Sequence, residues 1–274
     1  MQAFFLPLGS GQRFAMFHPS QSAVTRGLIV YVHPFAEEMN KSRRMAALQA
    51  RAMANAGYTV LQLDLLGCGD SSGDFGDASW QDWVDDVVFA CQWLRSKCDA
   101  PLWLWGLRAG CLLTVQAAQH LNETCHFLFW SPTPAGKPLL QQFLRLKAAG
   151  DLASGNAKAV MDGLRQQLAA GAPVEIAGYL LSAELASGME LATLTPPVSA
   201  GRLEWLDVST QANASLSPAS TKQLQTWQSA GVSVRSQVVE GPPFWQTSEI
   251  EEAPNLLVAT LAALDQPTSA AATP

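Results

Sequence analysis

The sequence predicts one α/β domain with a mostly parallel sheet and helices on both faces of that sheet. Apolar runs of strand length alternate with amphipathic helical stretches through the middle of the chain. The loops between them are short, as in right-handed βαβ crossovers. One junction, residues 101–118, joins an apolar strand to a helix through a turn of small residues. We expect the other elements to be arranged around this junction.

The turn surrounds one large residue with small ones. Gly106 stands two residues before Arg108, and Ala109 and Gly110 follow it. Small neighbours permit a sharp strand-turn-helix junction whose central residue has strained backbone angles. Junctions of the form Gly-x-Ser-x-Gly hold a nucleophilic hydroxyl at this position. An arginine stays protonated and has no lone pair with which to attack, so Arg108 is not a nucleophile.

Apolar periodicity predicts the elements before this junction. The predicted strands are 3–8 and 12–18, which form a hairpin at the sheet edge, and the buried strands 27–33 and 59–64. Residues 34–44 form a polar loop, and the predicted helices are 43–56 and 80–96. The alternation of strand and helix therefore starts well before the turn.

The pattern changes after a strand at 126–130. Three helical stretches, 139–148, 158–169 and 174–186, follow one another and predict a helical cap over residues 132–200. Strands at 203–208 and 234–239 and helices at 218–230 and 252–264 then resume the alternation. We predict a core of residues 1–131 and 201–265, the inserted cap, and a disordered tail over 266–274.

Composition restricts the classes of function. The 274 residues carry a formal net charge of -6 and no basic tract, which argues against nucleic acid as a partner. Five cysteines occur without CxxC spacing, as expected of reduced thiols, and no apolar run is long enough to span a membrane. We expect a cytoplasmic protein with no membrane span, metal or cofactor. The oligomeric state stays open.

Three motifs carry a family resemblance. Residues 31–35 (Tyr-Val-His-Pro-Phe), 63–73 (Leu-Asp-Leu-Leu-Gly-Cys-Gly-Asp-Ser-Ser-Gly) and 106–110 (Gly-Leu-Arg-Ala-Gly) occur in this order. They resemble the α/β-hydrolase superfamily, which implies the α/β-hydrolase fold. Together with Gly-Pro-Pro-Phe-Trp at 241–245, they resemble the type 2 hydrolases associated with exosortase A systems, bacterial proteins linked to exopolysaccharide loci. The word hydrolase there reflects the fold, not a reaction.

The resemblance does not extend to an acyl-transfer triad. The fold places its nucleophile, acid and histidine in that order along the chain. The four histidines are His18, His33, His120 and His126, so none lies in the late loop at 241–246. Asp207 is a candidate acid at a strand end, but with neither base nor nucleophile beside it, a buried or capping aspartate is the better explanation. The two triad members that perform the chemistry are absent.

Other nucleophiles remain candidates. Ser131, Ser71, Ser72 and Cys68 all lie near the predicted carboxyl edge of the sheet, and His33, Glu37 and Glu38 are the nearest candidate bases. The structural interpretation of the same residues is simpler. It makes 67–69 a tight turn, Ser71 a cap and His33 a strand-end residue satisfied by the backbone.

Arg108 has two interpretations. It pairs with Glu37 or Glu38 and fills the former active site, or it receives an anion at the start of a helix, where free N–H groups favour negative charge. Trp105, Trp130 and Trp245 likewise either fill the core or stack on a sugar.

The candidate site lies at the carboxyl edge of the sheet, beneath the cap. Its catalytic candidates are Arg108, Ser131 and Glu37, and its ligand contacts are His33, Phe35, Glu38, Leu107, Ala109, Cys68 and Trp245. We expect a hydrolase-like protein of exopolysaccharide metabolism that binds a small-molecule, anionic or glycan ligand without catalysis, or a hydrolase with an atypical site. An active ester hydrolase with a nucleophile outside the elbow and a structural adaptor are the alternatives.

Overall fold

An eight-stranded sheet forms the centre of the protein. The computed structural model describes residues 1–150 and 157–266. Its strands are β1 (Gln2–Leu8), β2 (Gly11–His18), β3 (Gly27–Val32), β4 (Tyr58–Leu63), β5 (Leu102–Leu107), β6 (Cys125–Trp130), β7 (Val174–Ile176), β8 (Tyr179–Leu181), β9 (Ala200–Ser209) and β10 (Ser233–Glu240). The large sheet has the order β1-β2-β4-β3-β5-β6-β9-β10, and β7 and β8 form a separate hairpin.

The sheet is mostly parallel, which confirms the predicted fold class. Only the pairs β1–β2 and β2–β4 are antiparallel within it. The chain runs outward from β3 to β4 and then returns to β5, so the topological switch lies between β3 and β5. Val32 pairs with Gly106 and Leu107 pairs with Trp130, so the carboxyl ends of these three strands meet at one edge.

Helices cover both faces of the sheet. They are α1 (Glu37–Asn55), α2 (Trp80–Arg95), α3 (Ala109–Ala118), α4 (Gly136–Gly150), α5 (Ala157–Ala169), α6 (Ala183–Leu191), α7 (Pro218–Ser229) and α8 (Pro254–Asp265). One apolar cluster joins the sheet to α2, α3 and α7 and continues into α4 and α6. A second cluster joins the opposite face to α1 and α8. No helix in the described part of the chain is long and apolar enough to cross a membrane.

The first helix begins earlier than the sequence predicts. The predicted polar loop over 34–44 is wrong from Glu37 onward, because α1 starts there. Its first turns bury Met39 and Ser42 among polar residues, so no apolar stripe marks them. Glu37 and Glu38 consequently lie in the first turn of a helix, where negative charge is favourable.

The predicted helix over 174–186 is also wrong in its first half. β7 and β8 pair as an antiparallel hairpin, and Ala177 and Gly178 both have positive φ in its two-residue turn. Val174 and Ile176 are buried while Glu175 between them is exposed, which is a strand pattern. α6 then starts after Ser182, whose hydroxyl accepts a hydrogen bond from the Leu185 N–H.

We propose the division into a core, residues 1–131 and 201–265, and a cap, residues 132–200. The contacts of α4 with α5 and of α4 with α6 support a cap that packs as one layer. Because the cap contains the β7–β8 hairpin, it is helical only in part. Residues 267–274 of the predicted disordered tail lie outside the described residues.

Candidate functional site

The junction between β5 and α3 has the backbone of a nucleophile elbow. Arg108, between Leu107 and Ala109, has φ 55° and ψ -116°, a conformation that residues with a side chain rarely adopt. A Cβ at Gly106 would lie 2.6 Å from the Cα of Cys111, and one at Gly110 would lie 2.2 Å from the carbonyl oxygen of Val32. The strand and helix therefore approach too closely for larger residues, and the elbow is intact around an arginine.

The Arg108 side chain is held by three residues from different elements. Its Nη2 donates to Oε1 of Glu38 at 3.5 Å, and its Nη1 donates to Oγ1 of Thr133 at 3.3 Å. The guanidinium carbon lies 5.6 Å from the ring centroid of Trp245, which is a cation–π contact. Of the two predicted acids, Glu38 is thus the partner. The Arg108 and Glu38 side chains are 14% and 15% exposed.

The ion pair leaves several polar atoms without hydrogen bonds. Arg108 Nε and Nη2 both lie 3.5 Å from Glu38 Oε1, which is the long limit for a hydrogen bond. Within the described residues, four buried atoms around it have no hydrogen-bond partner: Glu37 Oε2, Glu38 Oε2, Arg108 Nε and Trp245 Nε1. Each such atom costs about 1–3 kcal/mol if it stays unpaired. Four of them together indicate a place that a ligand completes.

A cavity of about 240 Å³ lies beside the pair. It opens between the start of α1, the cap helix α4 and the loop after β10. Apolar walls come from Phe35, Leu139, Phe143, Leu146, Met189 and Trp245, and polar groups come from Glu37, Glu38, Lys41, Gln142 and Gln246. We call this space the cap cavity. It is not filled by side chains.

Burial and Arg108 act in opposite directions on Glu38. Burial raises the pKa of the Glu38 carboxyl, and the neighbouring guanidinium lowers it in part. The pKa stays above its ordinary value because burial is the larger of the two effects.

His33 does not face this cavity as a base. Its Nδ1 lies 2.8 Å from the carbonyl oxygen of Pro34, and its Nε2 accepts a hydrogen bond from the Leu65 N–H at 3.3 Å. Burial lowers the pKa of His33, which keeps the ring neutral. The backbone therefore satisfies both ring nitrogens, as the structural interpretation of the sequence expected.

Ser131 is bonded to a neighbouring strand. Its hydroxyl accepts a hydrogen bond from the Val208 N–H at 3.1 Å, and its own N–H donates to the Leu206 carbonyl. Ser131 has φ 41°, so the strained backbone directs the hydroxyl to β9. No base contacts it among the described residues.

Cys68 and Ser71 belong to a tight turn. Gly67 and Gly69 on either side of Cys68 both have positive φ. Burial raises the pKa of the Cys68 thiol, which disfavours the nucleophilic thiolate. The Ser71 hydroxyl donates to the Asp64 carbonyl and accepts from the Phe14 N–H, which ties the turn to β2.

The loop after β10 places an aromatic ring where the fold carries a histidine. Trp245 is 5% exposed and packs against Phe244. Lys41 donates to the Thr247 carbonyl and Arg44 pairs with Glu252, so two residues of α1 hold this loop.

The candidate acid Asp207 also has a structural role. Its Oδ2 accepts a hydrogen bond from the Ser220 hydroxyl at 3.2 Å, and burial raises the pKa of its carboxyl. With Trp245 in the late loop, Asp207 has no histidine to orient.

The structure brings together part of the predicted site. Phe35, Glu37, Glu38 and Trp245 line the cap cavity, and Arg108 contacts the last two of these. Leu107 and Ala109 flank Arg108 and are buried, whereas His33, Ser131 and Cys68 lie outside the cavity lining. The sequence analysis missed Lys41 and the α4 contributions Leu139, Gln142 and Phe143. Their spacing of three and four residues along a predicted helix is the signal that was available.

Comparison of the sequence with known families gives one assignment. A profile of the family described as serine aminopeptidase, S33, matches residues 23–166, which is more than half of the chain. Human protein ABHD12B is 29% identical over 97 residues, and the match covers 35% of this chain and 25% of that protein. The chain therefore aligns with only a quarter of this relative.

Solved structures share the architecture at low identity. An α/β serine hydrolase without a lid from Xanthomonas campestris has a TM-score of 0.58 at 16% identity, over 100% of this chain and 96% of that one. The esterase Est1E from Butyrivibrio proteoclasticus, solved with ferulic acid, has a TM-score of 0.61 at 14% identity, with coverage of 95% and 97%. A monoglyceride lipase from Saccharomyces cerevisiae has a TM-score of 0.61 at 14% identity, with coverage of 96% and 94%. These similarities establish the fold alone.

Proposed function

Because the chain belongs to the serine aminopeptidase S33 family of α/β hydrolases, with Arg108 in place of the elbow nucleophile, we propose that it is a non-catalytic member that binds a small glycan ligand in the cap cavity. The observation that carries this proposal is the group of four unpaired buried polar atoms beside that cavity. An enzyme site built for acyl transfer needs a nucleophile and a base, and neither occupies its position here.

The chemistry of the four atoms favours a sugar. Three of the four belong to residues that line the cavity: Glu37 Oε2 and Glu38 Oε2 accept hydrogen bonds, and Trp245 Nε1 donates one. The fourth, Arg108 Nε, lies 3.5 Å from Glu38 Oε1. A hydroxyl group both donates and accepts, so a ring with several hydroxyls satisfies both kinds. The apolar face of a sugar also packs well on aromatic side chains, and Phe35 and Trp245 line the cavity.

An anionic ligand is less well matched than the sequence suggested. Glu38 already compensates the Arg108 charge, and Glu37 adds a second carboxyl to the same wall. A carboxylate or phosphate would meet two like charges at short range. We therefore prefer a neutral glycan to an anion. The motif resemblance to exosortase A-associated proteins supports a role in exopolysaccharide metabolism.

A binding experiment tests the ligand class. Melting temperatures are measured with neutral oligosaccharides, glucuronate and phosphate, for the parent, Glu37→Gln and Trp245→Leu. We expect a neutral sugar to raise the melting temperature of the parent and to have a much smaller effect on the two variants. Glu249→Gln is the control, because Glu249 is an exposed acid on the same loop. A larger shift with phosphate or glucuronate that Arg108→Ala abolishes would establish the anion receptor instead.

A kinetic experiment tests the absence of catalysis. Short-chain nitrophenyl esters are incubated with the parent, Arg108→Ala, Ser131→Ala and Cys68→Ala. We expect the four proteins to release nitrophenol at the rate of buffer alone, because Ser131 and Cys68 have no base within reach. Robust turnover that one substitution abolishes would show an active hydrolase with a nucleophile outside the elbow.

A further inference from the structure

A second cavity of about 210 Å³ lies on the other side of α1. Met39, Arg43, Ala46 and Ala47 project into it at the three- and four-residue spacing of one helix face. The opposite wall is formed by β2, β3 and β4 through Phe14, Met16, Tyr31, His33, Gln62, Leu63 and Asp64. We call it the α1–sheet cavity. It shares no residue with the cap cavity.

A tyrosine lines this cavity beside the charged residues described below. Tyr31 is 5% exposed, and its ring packs 4.3 Å from that of Trp105. Burial raises the pKa of Tyr31, so the hydroxyl stays protonated and serves as both donor and acceptor. The hydroxyl can therefore donate to or accept from a polar group that enters the cavity.

The same cavity contains one cation and one anion side by side. Arg43 Nη2 donates to Asp64 Oδ2 at 2.9 Å. In the described part of the chain, Arg43 Nε and Nη1 and Asp64 Oδ1 make no hydrogen bond. The Asp64 side chain is 9% exposed and that of Arg43 is 42% exposed. Asp64 therefore lies at the inner end of the ion pair and Arg43 at its solvent-exposed end.

The charges of this pair restrict the class of occupant. A lone anion near Arg43 would also meet the carboxylate of Asp64, and a lone cation near Asp64 would also meet the guanidinium. A molecule with both charges on neighbouring atoms satisfies the two residues at once. The rest of the lining is mostly apolar and suits a hydrocarbon side chain, with His33 and Gln62 as its polar members. The apolar members are Phe14, Met16, Met39, Ala46, Ala47 and Leu63.

We propose that the α1–sheet cavity binds a free α-amino acid with an apolar side chain. The carboxylate of the amino acid accepts from Arg43 Nη1 and from the Tyr31 hydroxyl. Its ammonium donates to Asp64 Oδ1, and its side chain packs on Met16 and Met39. This site is separate from the cap cavity and does not depend on the function proposed there.

Calorimetric titration with three matched probes tests this proposal. L-leucine carries both charges, N-acetyl-L-leucine lacks the ammonium, and 3-methylbutylamine lacks the carboxylate. We expect the parent protein to bind L-leucine at millimolar concentration or below and to bind neither of the other probes measurably. Absence of L-leucine binding, or equal binding of a probe with one charge, would overturn the proposal.

Two variants locate the binding. Tyr31→Phe keeps the ring and removes the hydroxyl, and we expect about tenfold weaker L-leucine binding. Ala47→Leu fills the cavity from a half-buried helix position and should abolish binding. Tyr58→Phe is the matched control, because its hydroxyl bonds to the Leu264 carbonyl outside the cavity. Unchanged affinity in both Tyr31→Phe and Ala47→Leu, with circular dichroism showing folded proteins, would contradict the assignment.

Discussion

The elbow and the loop after β10 occupy the two positions that supply a nucleophile and a histidine in this fold, and they differ in what has been retained. At the elbow the backbone is intact: Arg108 keeps a positive φ, and Gly106 and Gly110 allow the close approach of strand and helix. The loop carries no histidine, and the ring centroid of its Trp245 lies 5.6 Å from the guanidinium carbon of Arg108. Close packing around Gly106 and Gly110 thus fixes the elbow backbone although the residue between them is not a nucleophile. We expect the loop to tolerate substitution better.

The largest effect is expected from a methyl group at the elbow. In Gly110→Ala, the new Cβ would lie 2.2 Å from the Val32 carbonyl oxygen, and neither backbone can move without disturbing the sheet. We expect the free energy of unfolding to fall by about 4 kcal/mol. Urea denaturation measures it. Gly163→Ala in α5 is the control, because nothing lies within 4 Å of its Cβ, and it should be neutral or stabilising by up to about 1 kcal/mol.

A loss of less than about 1 kcal/mol in Gly110→Ala would show that the elbow backbone is adaptable. The contrast between a rigid elbow and a replaceable loop would then be wrong.

A smaller effect is expected when the elbow side chain is replaced. Arg108→Ser leaves the buried Glu38 without its partner, and we expect a loss of about 2 kcal/mol at neutral pH. The substitution should give no esterase activity, because Trp245 still occupies the histidine position. Unfolding curves and the nitrophenyl ester assay measure the two outcomes. Unchanged stability would show that the ion pair contributes nothing.

The pH dependence of this loss identifies its cause. Burial raises the pKa of Glu38 above the ordinary 4.5, and removal of the guanidinium, which lowers the pKa, lets it rise further. A folded protein with a raised carboxyl pKa binds more protons than the unfolded chain, so its stability falls as pH rises from about 4.5 through the folded pKa. The deficit of Arg108→Ser should therefore be small in acid and grow toward neutral pH. Glu38→Gln in the same background should remove this growth.

The smallest effect is expected at the loop. Trp245→Phe keeps an aromatic ring on the guanidinium but removes the indole N–H, and we expect about 1 kcal/mol of destabilisation. The same change should weaken glycan binding at the cap cavity, because Trp245 Nε1 has no partner within the described residues. Melting temperatures with and without sugar measure both effects. An equal sugar-induced shift in parent and variant would exclude the indole N–H from the site.

The sequence predicted what short-range rules determine. The elbow follows from Gly106 and Gly110, and the strands from apolar runs that match the sheet closely. The start of α1 was missed because Glu37 and Glu38 face a site and not the core, so their turn lacks an apolar stripe. The β7–β8 hairpin was taken as helix because short apolar runs fit either period, although the small Ala177–Gly178 pair between two such runs is a turn signal.

The cavities lay beyond sequence reasoning for a different reason. The sequence named Glu37 or Glu38 as a partner for Arg108, because all three follow strands at the sheet's carboxyl edge, and it left an external anion as the alternative. The α1–sheet cavity depends on how α1 packs against β2, β3 and β4. No local sequence pattern predicts the space left between them. The orientation of Trp245 likewise depends on the tether between Lys41 and the Thr247 carbonyl. Tertiary packing decides such features, and the sequence carries no local signal for them.

The helix α1 is a wall of both cavities, with Glu37, Glu38 and Lys41 in one and Met39, Arg43, Ala46 and Ala47 in the other. A rigid helix transmits displacement along its whole length, so an occupant that moves α1 in one cavity changes the dimensions of the other. Thermodynamic linkage makes such coupling reciprocal: whatever factor one ligand imposes on the affinity of the second, the second imposes on the first. If both proposed ligands bind, α1 would couple their two sites.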